Sequence, residues 1–127
     1  MKKFAVVISG SGVFDGAEIH ETVMSLYSIV KNGAEYQIFA PDINQYHVIN
    51  HLDGKVTDEV RNVLIESARI ARGKIKPLKD FNANDFDVLY FPGGFGVAKN
   101  LSDFAFKAEN CKINSEVEKV VRQMVEL

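Results

Sequence analysis

Several things are scarce in this sequence, and each scarcity narrows what the chain can be. Cysteine occurs once, at Cys111, so no internal disulfide is available and the composition agrees with a reducing compartment. No apolar run approaches the roughly 20 residues that a membrane-spanning helix needs. The few apolar residues after Met1-Lys2-Lys3 are too short for a signal segment. Basic residues are not gathered anywhere, and the net charge is only −2, which argues against a nucleic-acid or other polyanion partner. Internal repeats and low-complexity tracts are missing too. The expectation is a cytoplasmic protein with no membrane and no nucleic-acid contact.

What is present is the composition of an ordinary globular domain: 127 residues, 46% hydrophobic and 25% charged, enough for one modest core. The run 4-FAVVI-8 is apolar at consecutive positions, and similar runs return at 35-EYQIFA-40 and 86-FDVLYF-91. Unbroken runs of this kind suit strands covered on both faces, as in a parallel sheet. Between the first two, Ile19, Val23, Leu26, Tyr27 and Val30 recur at helical spacing and Asn32-Gly33 ends the pattern, so residues 17–33 read as a helix that buries this stripe. Strand, helix and strand make a right-handed βαβ unit. A second helix is expected from Thr57 as N-cap, through Val60, Val63, Leu64, Ala68 and Ala71, to about Gly73. The polar stretch 41–56 before it reads as a long loop. A last helix over 115–127 opens on a Ser115/Glu118 capping box and carries Val117, Val120, Val121, Met124 and Val125 on one stripe. A doubly wound fold normally follows such a helix with another strand, so the sheet is expected to be incomplete on its C-terminal side.

Two glycine-rich turns are the candidates for chemistry. The first, 9-SGSGVFDGAEIHE-21, lies between a strand and a helix, where backbone N–H groups bind anions. It fails the dinucleotide fingerprint: counting from Gly10 and Gly12, the third glycine position is Asp15, and Gly16 comes one residue late. Asp15 reads better as an N-cap paired with Glu18. Periodicity places Glu21 opposite the apolar stripe, as a solvated surface residue. The second turn, 91-FPGGFGVAKNLSDF-104, follows a buried strand at the end where open α/β sheets bind ligands. Its adjacent glycines either point backbone N–H groups at a substrate oxygen or simply make a turn. His20, His47 and His51 lack the spacing of a metal site.

The motifs 8-ISGSGVFDGAEIHETV-23, 49-INHLDG-54, 61-RNVLIESARIARGKI-75 and 91-FPGGFGVAKNLSDFA-105 together closely resemble the ElbB family, also called sigma cross-reacting or enhancing-lycopene-biosynthesis proteins, of the ThiJ/PfpI, class I glutamine amidotransferase-like superfamily. The similarity runs over essentially the whole chain. It implies a flavodoxin-like three-layer α/β sandwich, usually dimeric, with a cysteine nucleophile on a strand-to-helix elbow assisted by a glutamate of the first helix. In 17-AEIHETV-23 that glutamate is Glu21. The implied activity is a cofactor-independent glyoxalase turning small dicarbonyls into hydroxy acids, linked by family name to isoprenoid biosynthesis. Gly94 is the implied oxyanion donor, and Gly12, Gly93 and Asn100 are assigned to substrate binding, with no metal and no cofactor. Ser11 stands where the family commonly has a cysteine, and no base is evident beside it. The nucleophile elbow belongs to a strand that would follow residues 115–127, and Cys111 is not that residue. Residues 1–127 are therefore expected to be one partial domain, the N-terminal half of an ElbB-like protein and inactive alone. The rival expectation is a non-enzymatic binding or regulatory module that dimerises or pairs through its sheet edge. A weaker rival is a ligand binder that uses the loop and Gly93-Gly94 without chemistry.

Overall fold

A computed structural model describes residues 1–126. Its centre is a four-stranded sheet in the order β5-β2-β1-β6, built from β1 (Lys3–Val7), β2 (Glu35–Ala40), β5 (Ile75–Pro77) and β6 (Val88–Tyr90). All of its pairings are parallel, with Val6 opposite Ile38 on one side and opposite Tyr90 on the other. The apolar run of β1 divides by the two-residue period of a strand. Ala5 and Val7 enter a core with Phe39, Leu78, Leu101, Val117 and Val120. Val6 and Ile8 enter the opposite core with Leu26, Ile29, Ile38 and Ala71. Each Val, Ile, Leu or Phe side chain so buried contributes roughly 1.5–3 kcal/mol, and coverage on both faces explains why the run has no polar interruptions.

Helices α1 (Ile19–Lys31) and α2 (Val63–Ala71) cover one face, and α5 (Ser115–Val125) covers the other. This is the flavodoxin-like three-layer α/β sandwich expected from the resemblance. On the α5 face Phe39 meets the rings of Phe81 and Phe86 edge-on at 5.5 Å each, a favoured aromatic geometry. The long polar stretch holds a small antiparallel hairpin, β3 (Ile49–Asn50) with β4 (Lys55–Val56). Short helices α3 (Phe95–Lys99) and α4 (Phe104–Lys107) follow β6.

Several expectations are corrected. Helix α1 starts at Ile19 and is capped by Glu18, whose carboxylate accepts the His20 and Glu21 amides; Asp15 is not its cap. The face that α1 buries is Thr22, Leu26 and Ile29, leaving Ile19, Val23, Tyr27 and Val30 exposed. Helix α2 starts six residues later than Thr57, at Val63, because Asn62 caps it by accepting the Ile65 amide. Thr57 instead donates to the Val48 carbonyl, and Val60 is exposed. Asn114, not the Ser115/Glu118 pair, caps α5. Glu118 reaches forward to Arg122, and the last residue of the expected helix lies outside the described ones. The strand β5 was not anticipated: it is three residues long, and its lysine and proline suit an edge position.

Candidate functional site

The chain visits β1, β2 and β5 in one direction and then returns to place β6 on the other side of β1. Between β1 and β6 the crossovers diverge, and the crevice beyond the C-terminal ends of such strands is where open α/β sheets receive ligands. The two glycine-rich turns of the sequence are the segments that leave β1 and β6 at this point.

Close backbone approach accounts for their glycines. Gly10 and Gly12 turn the loop with φ of 120° and 141°, values that L side chains rarely adopt. Gly94, at φ 120°, lies so near α1 that a Cβ there would meet the Gly16 carbonyl oxygen and sit 2.5 Å from the Glu18 nitrogen. The turns are then stitched together: Glu18 N–H donates to Gly93 O at 2.8 Å, Phe95 N–H to Val13 O at 2.9 Å and Gly96 N–H to Gly16 O at 2.9 Å.

Glu21 rises from the first turn of α1 onto this seam. Its Oε1 accepts the Gly93 N–H at 2.8 Å, and a Cβ on Gly93 would come within 2.8 Å of its Oε2. Periodicity made Glu21 a surface residue, and it is exposed, yet the β6 turn holds it in one orientation. The structure thus brings Glu21 and Gly93 into contact, with Gly94 next in the same turn.

The other two assigned residues are placed differently. Asn100 is buried and fully engaged: Nδ2 donates to Ser9 O and Asp15 O, both at 2.9 Å, and Oδ1 accepts the Tyr46 amide at 2.8 Å. Through these bonds it braces the loops around Ser9, Asp15 and Tyr46. Gly12 lies beneath His51, whose ring a Cβ would meet at 2.9 Å, and so makes room for that ring.

Asp15 and His51 are the residues that sequence reasoning undervalued. The buried Asp15 carboxylate accepts the Ile49 amide through Oδ2 at 2.7 Å. His51 Nε2 lies 3.2 Å from the Phe14 nitrogen and Nδ1 lies 2.9 Å from the Ile49 oxygen. An amide can only donate, so Nε2 is the acceptor and the ring proton sits on Nδ1. His51 also stacks on Phe14 with centroids 4.8 Å apart. Together they clasp the β3–β4 hairpin onto the first glycine turn. The quoted motif 49-INHLDG-54 was the available signal.

Among the titratable groups, the Glu18 carboxyl is held below its ordinary pKa first by the hydrogen bond from the Glu21 amide and also by His20, as expected of a carboxylate at a positive helix end. Desolvation, followed by the nearby Lys99 charge, lowers His47. Among the described residues no cluster of His, Cys, Asp or Glu is suited to a metal ion, and no helix is long and apolar enough to cross a membrane. Cys111 lines an apolar groove with Phe91, Leu101 and Val117 on the α5 side, while Glu21 belongs to α1 on the opposite layer.

No family model matches the chain. It is 54% identical over 122 residues to the human glutamine amidotransferase-like class 1 domain-containing protein 3, mitochondrial, covering 95% of this chain and 46% of that protein. The rat ES1 protein homolog, mitochondrial, is 53% identical with the same coverage. The chain therefore spans about half the length of these relatives. Among solved structures, the isoprenoid biosynthesis protein with amidotransferase-like domain from Ehrlichia chaffeensis superposes with a TM-score of 0.92 at 39% identity, over 98% of this chain and 59% of that one. Over the part that it matches, the chain is similar in sequence and fold to class I glutamine amidotransferase-like proteins, which fits the resemblance to the ElbB, ThiJ/PfpI superfamily.

Proposed function

We propose that these residues form one part of an ElbB-like catalytic domain whose reaction converts a small dicarbonyl, with water, into a hydroxy acid without a cofactor. The observation that carries this reading is the Glu21 carboxylate, fixed 2.8 Å from the Gly93 amide in the crevice between β1 and β6. In that reaction a thiolate adds to the substrate aldehyde carbon, and its carbonyl π pair moves onto oxygen. The Gly94 N–H stabilises that oxyanion, while Glu21 holds or receives the proton that moves. A carboxylate already committed to a backbone donor is positioned before substrate arrives, which lowers the orientational cost of the step.

The thiolate is the part that these residues do not supply. Cys111 is their only cysteine, and it lines the groove on the α5 side of the sheet. Residues 1–127 are accordingly one partial domain, and by themselves they turn over no dicarbonyl. A connection to isoprenoid biosynthesis and homodimerisation of the intact protein belong to the same proposal, the first supported by what the Ehrlichia relative is said to be. For location, the human and rat relatives are mitochondrial by name. The proposal is therefore a reducing aqueous compartment, of which matrix and cytosol are examples, in place of the cytoplasm specifically.

The test is an assay of hydroxy-acid formation from methylglyoxal by the purified, mass-verified chain. No product is expected. The same assay with the rest of a relative's domain bound should yield product that E21Q lowers by at least 100-fold, in the range of general acid–base contributions. Product from the chain alone, or full activity in E21Q, would overturn the assignment.

A further inference from the structure

One residue beyond the Gly93-Gly94 turn, Phe95 forms a wall of a pocket of about 300 Å³ whose other walls are Phe14, Ile49, Gly54 and Lys99. Three segments build it: the first glycine turn supplies Phe14, the β3–β4 hairpin supplies Ile49 and Gly54, and α3 supplies Phe95 and Lys99. Each is held by contacts independent of any ligand. Phe95 N–H donates to Val13 O at 2.9 Å, Ile49 N–H donates to Asp15 Oδ2 at 2.7 Å, and His51 stacks on Phe14. Walls fixed in advance lower the cost of binding.

The pocket offers two kinds of contact. Phe14 and Phe95 stand 37% and 52% exposed, leaving ring surface that an apolar body would remove from water. Lys99 adds a charge: Nζ donates to Phe14 O at 2.9 Å and lies 5.4 Å from the centroid of the Phe95 ring. An ammonium has three protons, and the carbonyl takes one. Among the described residues no carboxylate forms an ion pair with it. Its field reaches His47, whose pKa is lowered by desolvation and then by Lys99, against the opposing pull of Asp15.

We propose that this pocket binds a small carboxylate whose apolar body lies against Phe14 and Phe95 and whose anionic group is taken by the Lys99 ammonium. The volume lies at the low end for ligand sites, so it admits one ring or a branched chain of similar size and excludes a nucleotide. A single ammonium suits a carboxylate better than a diphosphate. On the chemistry proposed above, the ligand is the distal substituent of a dicarbonyl that reaches past Gly94, and Lys99 determines specificity. Binding itself rests on the pocket alone.

The test is titration of the isotope-labelled chain with benzoate, followed through its amide resonances. Saturable shifts are expected at Phe14, Ile49, Gly54 and Phe95. Benzamide, which lacks the charge, and acetate, which lacks the ring, should each bind at least about fivefold more weakly, the scale of a partly exposed ion pair. K99M keeps an unbranched stem and should weaken benzoate by a similar factor. F95A truncates a half-exposed ring, should also weaken it, and decides the matter should K99M fail to fold. The proposal is overturned if benzoate does not saturate these amides, or if it shifts instead those of the two open grooves that flank β6, near Ser25 and Tyr90 or near Val97 and Val121. It is equally overturned if benzamide or acetate matches benzoate, or if either folded variant binds as the parent chain does. Benzoate binding that holds while the E21Q assay fails rejects the dicarbonyl chemistry and leaves the pocket; turnover without benzoate binding does the reverse.

Discussion

A single residue, Gly94, shows how tightly the two turns constrain each other. Its φ of 120° strains any L side chain, and a Cβ there would press on the Gly16 carbonyl and the Glu18 amide. G94A should therefore destabilise the protein by on the order of 3 kcal/mol, since strain and overpacking each cost about 1–3 kcal/mol. Differential scanning calorimetry should record a fall of roughly 10 °C; an unchanged Tm would mean that the seam opens freely. Glu18 gives a pH dependence at the same place. Its folded pKa lies below the ordinary value of a glutamate, so its contribution is present above the unfolded pKa and is lost as pH falls through the folded one. Amide exchange at His20 and Glu21 should accelerate on acidification below that range, and E18Q should remove this step. Spacing placed Glu18 at the start of the helix as the partner of Asp15, but neither its own role as the cap nor the packing at Gly94 was visible there. A one-dimensional pattern records which residues recur, whereas Glu21 and Gly93 are 72 positions apart in the chain and meet only because β6 returns beside β1. The resemblance singled out Glu21 and Asn100, and the structure adds that Asn100 braces the loops around the crevice.

At the scale of elements, α1 was legible as a helix and misread in phase. Ile19, Val23, Tyr27 and Val30 are as apolar as the residues that are buried, and Leu26 lies at the margin of both arcs, so periodicity alone favoured the wrong face. What decides the phase is the connection: Gly93 and the Glu18 cap fix the start of α1 so that Thr22, Leu26 and Ile29 point at β1 and β2. The consequence is measurable. L26A should cost roughly 2–4 kcal/mol in a urea titration, the range for a core leucine. V23K, at a residue 49% exposed, should change stability by less than about 0.5 kcal/mol. Equal losses from the two would restore the face that periodicity favoured. The late start of α2 has a comparable cause. Thr57 is an acceptable cap by type, but its hydroxyl is engaged with Val48 and the working cap is Asn62, whose Nδ2 also donates to Asp42 at 2.7 Å. Long-range partners choose between equivalent local signals.

At the scale of the molecule, the parallel sheet was legible because strands covered on both faces must be apolar throughout, and β1, β2 and β6 are the segments that read so. The edge strand β5 and the β3–β4 hairpin were not, since short strands with one wet side carry lysines and turn residues in place of a run. The same contrast predicts a gradient of local stability. Strand β1 lies between β2 and β6, with its residues from Ala5 onward buried, whereas β6 is half-buried throughout and paired on one side. Opening β1 requires breaking both cores; loosening β6 requires breaking one ladder beside two open grooves. Hydrogen exchange in the isolated chain should therefore be slowest at Ala5–Val7 and faster by at least 100-fold at Val88–Tyr90, as expected where few buried contacts hold a segment. Protection at β6 equal to that at β1, at low protein concentration, would mean that the edge is already covered in solution. The position of these amides beside Pro92-Gly93 makes them reporters on the Glu21 crevice as well as on the sheet.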